Sequence, residues 1–233
     1  MQDLLGKVVG IVGNGPSATG RGSEIDACDF VIRQNAWVTE AALNAGNKVS
    51  ALVGFFGEKN KAHPAHMTGS PGVEVPPWLA ERRDWELWSH IPGECFRAAP
   101  TREAVGDWKW LLNTADGRAI RMFRLAPFNR LFDYLHAHNP SAKYPSLGLT
   151  CIGMVVDLNP SAVHLWGYDS VGYGYPGYDL AQKQNQRDAK EFHNYVTEKQ
   201  LIAELVDKKT WCGKPVNFDT TWHHRPNIPG VFQ

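Results

Sequence analysis

The stretch KVVGIVGNGPSATGRGSEIDACDFVIRQN, residues 7–35, decides the fold. In it an apolar run, residues 8–12, stops at Gly13-Asn14-Gly15-Pro16-Ser17. A second run, 30–32, stops at Arg33-Gln34-Asn35. Short continuous apolar runs bounded by turn residues are the pattern of strands buried on both faces. Two such strands ending in polar residues mark the carboxyl edge of a parallel sheet, where open α/β folds bind their ligands. The segment therefore predicts a nucleotide site.

Outward from this segment, a short helix is expected at 41–45 and a third strand at 49–55. An amphipathic helix is expected at 128–138. Ser146-Leu147-Gly148 opens an apolar helix over 149–158, which Asn159-Pro160 ends. A strand over 163–166 runs into Gly167-Tyr168-Asp169. A helix over 191–205 carries His193 in its first turns, and a last strand lies near 215–218. This alternation predicts an α/β fold: a single Rossmann-like domain over 1–233, with a mostly parallel sheet flanked by helices. Residues 57–105 lose the rhythm and are rich in Pro and Gly, which reads as an irregular lid or insertion.

The bulk composition narrows the function. A chain of 233 residues buries a real core without disulfides or metal. Lys plus Arg equals Asp plus Glu, 24 each, which argues against general nucleic-acid binding by phosphate neutralisation. Cys28, Cys95, Cys151 and Cys212 are scattered without metal-ligand spacing and read as free thiols in a reducing compartment. No apolar stretch reaches the roughly 20 residues of a membrane span, and the N-terminus MQDLLGKVV lacks signal-peptide features. The expectation is a soluble, unsecreted protein. Trp78, Trp85, Trp88, Trp108 and Trp110 crowd one region, and core or interface packing is favoured there over a sugar-covering surface.

Gly13-x-Gly15-x-x-Ala18 matches the dinucleotide fingerprint in form. Pro16 removes a backbone N–H from that turn, and Asn35 stands where an acid would bind a ribose diol. Arg33 suits a ribose phosphate, so an NADP-binding oxidoreductase stays open as an alternative. Asn14 and Asn35, at neighbouring strand ends, offer amides to one ligand. Ser146 reads as a helix N-cap, and Gly148 lets a ribose or phosphate approach a helix N-terminus. His193 near a helix N-terminus is held neutral by the dipole, which suits a base near pH 7. Glu198 follows five positions later, a spacing poorly matched to one helix face. Tyr173, Tyr175 and Tyr178 sit in a Gly-rich loop whose hydroxyls could meet a leaving phosphate. No paired carboxylates suggest a metal, and neither GxSxG nor GxxxxGK[ST] occurs.

In this order the motifs resemble those of the sialyltransferases, in particular the animal-type family with its L, S, III and VS sialylmotifs (glycosyltransferase family 29). They are also similar to the shorter bacterial family 42. GNGPS, SEIDACDFVIRQN and Gly46-Asn47-Lys48 resemble the L motif. Residues 145–148 through 163–168 resemble the S motif, and His193 with Glu198 the VS motif. The matched segments cover about a third of the chain.

The resemblance implies a GT-A-variant fold and an inverting, metal-independent glycosyltransferase. A sialic acid, or a related nine-carbon keto sugar acid, would move from its CMP donor to a glycan hydroxyl, with no further cofactor. His193 would be the general base. Asn14, Gly15, Ser17, Asn35, Ser146, Gly148, Gly167 and Tyr168 would hold the donor nucleotide. Donors such as CMP-Kdo, CMP-legionaminate or CMP-pseudaminate fit the same nucleotide half. Residues 57–105 would then be an acceptor-side insertion. The cysteine pair linking the L and S motifs of the animal enzymes is absent, motif III has no histidine near 175–179, and no membrane anchor is found. These departures imply a cytoplasmic enzyme of bacterial or phage type.

Overall fold

In the computed structural model the residues described are 3–13, 15–34, 44–54, 81–89, 112, 115, 117–138, 140, 145–168 and 195–224. Nine strands are assigned among them: β1 Val8–Val12, β2 Phe30–Gln34, β3 Ala51–Gly54, β4 Glu86–Ser89, β5 Ile120–Met122, β6 Ala162–Trp166, β7 Thr210–Trp211, β8 Lys214–Pro215 and β9 Asp219–Trp222. The helices are α1 Gly22–Asp26, α2 Leu125–His138, α3 Leu147–Asp157 and α4 Tyr195–Lys208, with a 3-10 turn at Pro16–Ala18. Seven strands form one sheet in the order β5-β4-β3-β2-β1-β6-β9, and every neighbouring pair is parallel. The α/β architecture with a parallel sheet flanked by helices is as the sequence indicates.

Alternation along the strands sends side chains to two faces. Val9 and Ile11 of β1 and Phe30 and Ile32 of β2 join the larger core, together with Leu131 and Leu135 of α2, residues 149, 151, 152, 154 and 155 of α3, and Leu201, Ile202 and Leu205 of α4. Val12, Val31 and Trp166 point the other way, onto Ile25 and Cys28. Strands covered on both faces carry no polar alternation, which is why their runs are continuously apolar. The ends of α3 follow local chemistry. The Ser146 hydroxyl caps its start, and Asn159, with φ +50°, leaves the helix ahead of Pro160.

Three sequence expectations change. Within 57–105, Glu86–Ser89 is a parallel strand of the main sheet, not irregular lid. Its Trp88 is fully buried and Trp85 nearly so. The helix expected at 191–205 is observed over Tyr195–Lys208; 191–194 lie outside the described residues, as do 41–43 of the short helix expected at 41–45. The final strand is Asp219–Trp222, not 215–218. Pro215 instead pairs with Thr210 in a small hairpin whose turn, Cys212-Gly213, has positive φ at both positions. Buried Phe218 leads into β9, and Trp222 is buried while Asp219 and Thr221 face outward.

The cysteines described, Cys28, Cys151 and Cys212, are free thiols. Among the described residues no helix is long and apolar enough to cross a membrane.

A core role for β4 has a measurable consequence. Trp88→Ala is expected to lower the unfolding free energy by about 3–5 kcal/mol in urea titrations. A loss below about 1 kcal/mol would place Trp88 on a loosely packed surface segment instead.

Candidate functional site

The strand order reverses between β1 and β6, so the crevice outside their carboxyl ends is the topological switch point. Two loops leave the sheet there, Gly13–Ser17 after β1 and Gly167-Tyr168 after β6. They are laced by backbone hydrogen bonds. Gly13 N–H donates to the Trp166 carbonyl (2.8 Å) and Gly15 N–H to the Gly167 carbonyl (3.0 Å). Gly167 N–H donates to Ser17 Oγ at 2.7 Å. The lacing demands glycine. Gly167 has φ +74°, and a Cβ there would overlap the Gly13 carbonyl, while a Cβ on Gly13 would lie 2.7 Å from the Gly167 oxygen.

This arrangement bears on the fingerprint Gly13-x-Gly15-x-x-Ala18. In a dinucleotide fold the glycine turn opens a helix whose N-terminus receives the pyrophosphate. Here β1 is followed by the 3-10 turn Pro16–Ala18, and the only regular helix before β2 among the described residues is the five-residue α1. The N–H groups of Gly13 and Gly15 are engaged by the β6 loop. Arg33, which suited a ribose phosphate, is fully buried, with Nε on the Lys48 carbonyl (3.0 Å) and Nη2 on the Ala45 carbonyl (2.9 Å). Burial pulls its pKa down to about 10. Arg33 holds the loop before β3 and is not presented to a ligand. Asp26 fastens the same loop from its other side, accepting from Asn47 N–H (2.9 Å) and Lys48 N–H (2.8 Å).

The first turn of α3 forms the next wall. Ser146 is its N-cap: Oγ accepts from Leu149 N–H at 3.2 Å. Glu198 of α4 takes the remaining donors, with Oε1 2.7 Å from Ser146 N and Oε2 2.5 Å from Ser146 Oγ. The VS-motif resemblance pairs Glu198 with His193, which lies outside the described residues; the structure joins Glu198 to a serine 52 positions away. The carboxyl is buried, and that burial outweighs the two hydrogen bonds from Ser146, pushing its pKa up to about 7.

Tyr168 closes the arrangement. It is buried, and its hydroxyl donates to the Gly148 carbonyl at 3.2 Å while accepting from the Gln34 amide. Burial raises its phenol pKa well above the usual value. α3 packs close to this ring at Gly148: a Cβ there would lie 3.0 Å from Tyr168 Cε1. The phenol thus faces the protein interior.

Gly15, Ser17, Ser146, Gly148, Gly167 and Tyr168 are therefore brought to one edge of the sheet. Asn14, Asn35, His193, Tyr173, Tyr175 and Tyr178 lie outside the described residues. Gln34, Glu198 as a partner of Ser146, and the Asp26–Arg33 pair escaped sequence reasoning as members of this region. Only the N-cap preference of Ser146 gave a local hint. No group of three or more His, Cys, Asp or Glu among the described residues is placed to hold a metal ion.

Two measurements probe this geometry. Gly213→Ala, at φ +72° with nothing within 4 Å, is expected to cost about 1–2 kcal/mol of stability through backbone strain alone. Gly167→Ala adds a backbone clash to the same strain and is expected to cost at least about twice as much in parallel denaturation curves. Glu198 binds a proton more tightly folded than unfolded. Its stabilising contribution is thus complete below the ordinary value of 4.5 and is lost as pH rises through about 7. Glu198→Gln should gain on wild type between about pH 4.5 and about pH 7, by up to ~3 kcal/mol. A difference that is flat with pH would mean the carboxyl ionises normally.

No protein-family model matches the chain, and no curated protein matches it. Solved structures do. A tyrosine-to-phenylalanine variant of the sialyltransferase CST-II in complex with CMP matches with TM-score 0.54 and 15% identity, over 97% of this chain and 88% of the other. CstII from Campylobacter jejuni in complex with cytidine-5'-monophosphate matches with TM-score 0.51 and 16% identity, over 93% and 79%. A mammalian sialyltransferase matches with TM-score 0.45 and 19% identity over 79% of this chain, which spans 65% of that structure's length. At these identities the likeness is one of fold: the helix-flanked parallel sheet is like that of sialyltransferases.

Proposed function

We propose that the chain is a CMP-sugar-dependent glycosyltransferase of sialyltransferase type. The observation that carries this reading is the convergence of three segments distant in sequence, Gly13–Ser17, Ser146–Gly148 and Gly167-Tyr168, at the switch point of the sheet. These are the L- and S-motif stretches singled out by resemblance, and the fold that gathers them is one in which a CMP-bound sialyltransferase has been solved.

In this reading the cytidine monophosphate half of the donor lies over the carboxyl ends of β1, β2 and β6, with Asn14 and Asn35 supplying amides to phosphate and ribose. His193 takes the proton of the acceptor hydroxyl. The acceptor oxygen attacks C2 of the keto sugar acid, the C2–O bond to phosphate breaks, and CMP departs, so configuration inverts in one displacement. Charge builds on the phosphate as the sugar gains oxocarbenium character, and amides and hydroxyls stabilise it, with Tyr173, Tyr175 and Tyr178 as candidate donors. No metal ion is required by this scheme. A sialic acid is the first donor to test; Kdo, legionaminate and pseudaminate share the same nucleotide half. The acceptor glycan is met by residues of the 57–105 interval outside β4.

Thermal unfolding with CMP, UMP, GDP and NADPH tests the reading, because a ligand that binds only the folded state raises Tm by mass action. CMP is expected to raise Tm selectively, and Asn35→Ala to abolish that shift. His193→Ala should keep the CMP shift and lower transfer from CMP-sialic acid by about 10²-fold or more. A shift with NADPH alone would return the oxidoreductase alternative, and full transfer by folded His193→Ala would remove the base.

A further inference from the structure

β2 reads Phe30, Ile32, Gln34 along its helix-covered face. The first two are core residues, and the third is a carboxamide, 5% exposed, at the carboxyl end of the strand. A buried amide is tolerated only where its hydrogen bonds are made. Those of Gln34 run across the candidate site. Its Nε2 donates to the Tyr168 hydroxyl, 134 positions away, and that hydroxyl donates to the Gly148 carbonyl in the first turn of α3. Gln34 Oε1 stands 3.4 Å from where a Gly148 Cβ would be. Cys151, one turn along α3, is buried beside the same amide, which works against the rise that burial gives its thiol pKa. One side chain thus spans three segments: the end of β2 next to Asn35, the loop after β6, and the N-terminal turn of α3.

We propose that Gln34 is a positioning residue for nucleotide binding. It sets the separation of the α3 N-terminus and the β6 loop through the Tyr168 phenol, and so sets the width of the cleft that the nucleotide enters. The proposal rests on the reading of this edge as a CMP site. An apolar residue of the same length would fill the volume equally well. The difference an amide makes is directional: it holds the phenol in one orientation, and the phenol holds the α3 carbonyl. Apolar packing constrains shape but supplies no such fixed direction.

The test uses the full chain, with Gln34→Met as the isosteric apolar variant and Tyr168→Phe as the second. CMP affinity is measured by calorimetry, and donor KM and kcat by release of CMP from CMP-sialic acid. Each variant is expected to weaken CMP binding by about tenfold, the scale of one buried hydrogen bond. Donor KM should rise by a similar factor, with kcat within about twofold. The double variant should bind no more weakly than either single one, because both break the same strut. A purely structural role would lower Tm and the active fraction, and hence apparent kcat, but leave the Kd of the folded protein and the donor KM unchanged. That outcome, with wild type binding CMP, overturns the inference alone. If the wild type itself fails to bind CMP, the reading of the site falls, and the inference with it.

Discussion

The lacing of the β1 and β6 loops is the constraint on which the rest depends. Gly13, Gly15 and Ser17 hold Trp166 and Gly167 through three hydrogen bonds that leave no room for a Cβ at either glycine of the crossing. Because the two strands are the pair at which the sheet reverses, this crossing defines the mouth of the crevice. Everything else is arranged around it. Tyr168, the next residue, turns inward to meet Gly148. The helix whose first turn holds Gly148 is capped by Ser146, and Ser146 is gripped by Glu198 from α4. Parts of the chain from residue 13 to residue 198 thus form one connected polar scaffold at a single sheet edge, with an apolar core behind it.

The scaffold has an electrostatic side. Glu198 sits fully buried at the N-terminal turn of α3, where the helix dipole and the Ser146 donors favour negative charge and burial disfavours it. Burial prevails, so the carboxyl ionises near neutral pH. Arg33, the buried cation of the neighbouring strand, is held by two backbone carbonyls, with Asp26 3.8 Å away. One buried group steadies a helix start and the other a loop start.

What was legible in the sequence was local or periodic. The runs that became β1, β2, β3 and β6 are mostly apolar because both faces are covered, and the start and stop of α3 are written in Ser146 and Asn159-Pro160. Strands β4 and β5 escaped notice because each carries a charge. Glu86 and Arg121 neutralise one another across the pair at 3.2 Å, and Glu86 also accepts from the Trp88 indole at 2.9 Å. Read singly, Glu86 and Arg121 break an apolar strand pattern; together they are a satisfied part of it. In the candidate site, Ser146 and Gly148 were legible as a helix start. The contacts of Ser17, Gln34 and Glu198 were not, because their partners lie 150, 134 and 52 positions away and no pattern in one sequence joins them. The role of Arg33 is hidden for a related reason: a cation satisfied by carbonyl oxygens leaves no trace in the residue types around it.

The pairing of β1 with β6 also governs how the molecule assembles. β1 and β2 are separated by a short connection, but β1 cannot find its other neighbour until about 160 residues have been made. Closing so long a loop is entropically costly and slow compared with local pairing. Until then one edge of VVGIV, the most apolar strand in the sheet, stays open to any other extended chain. The hydrogen bonds of the Gly13–Gly167 crossing can form only when that edge is filled. The crevice is therefore a late product of folding, and its completion coincides with disappearance of the chain's most adhesive edge.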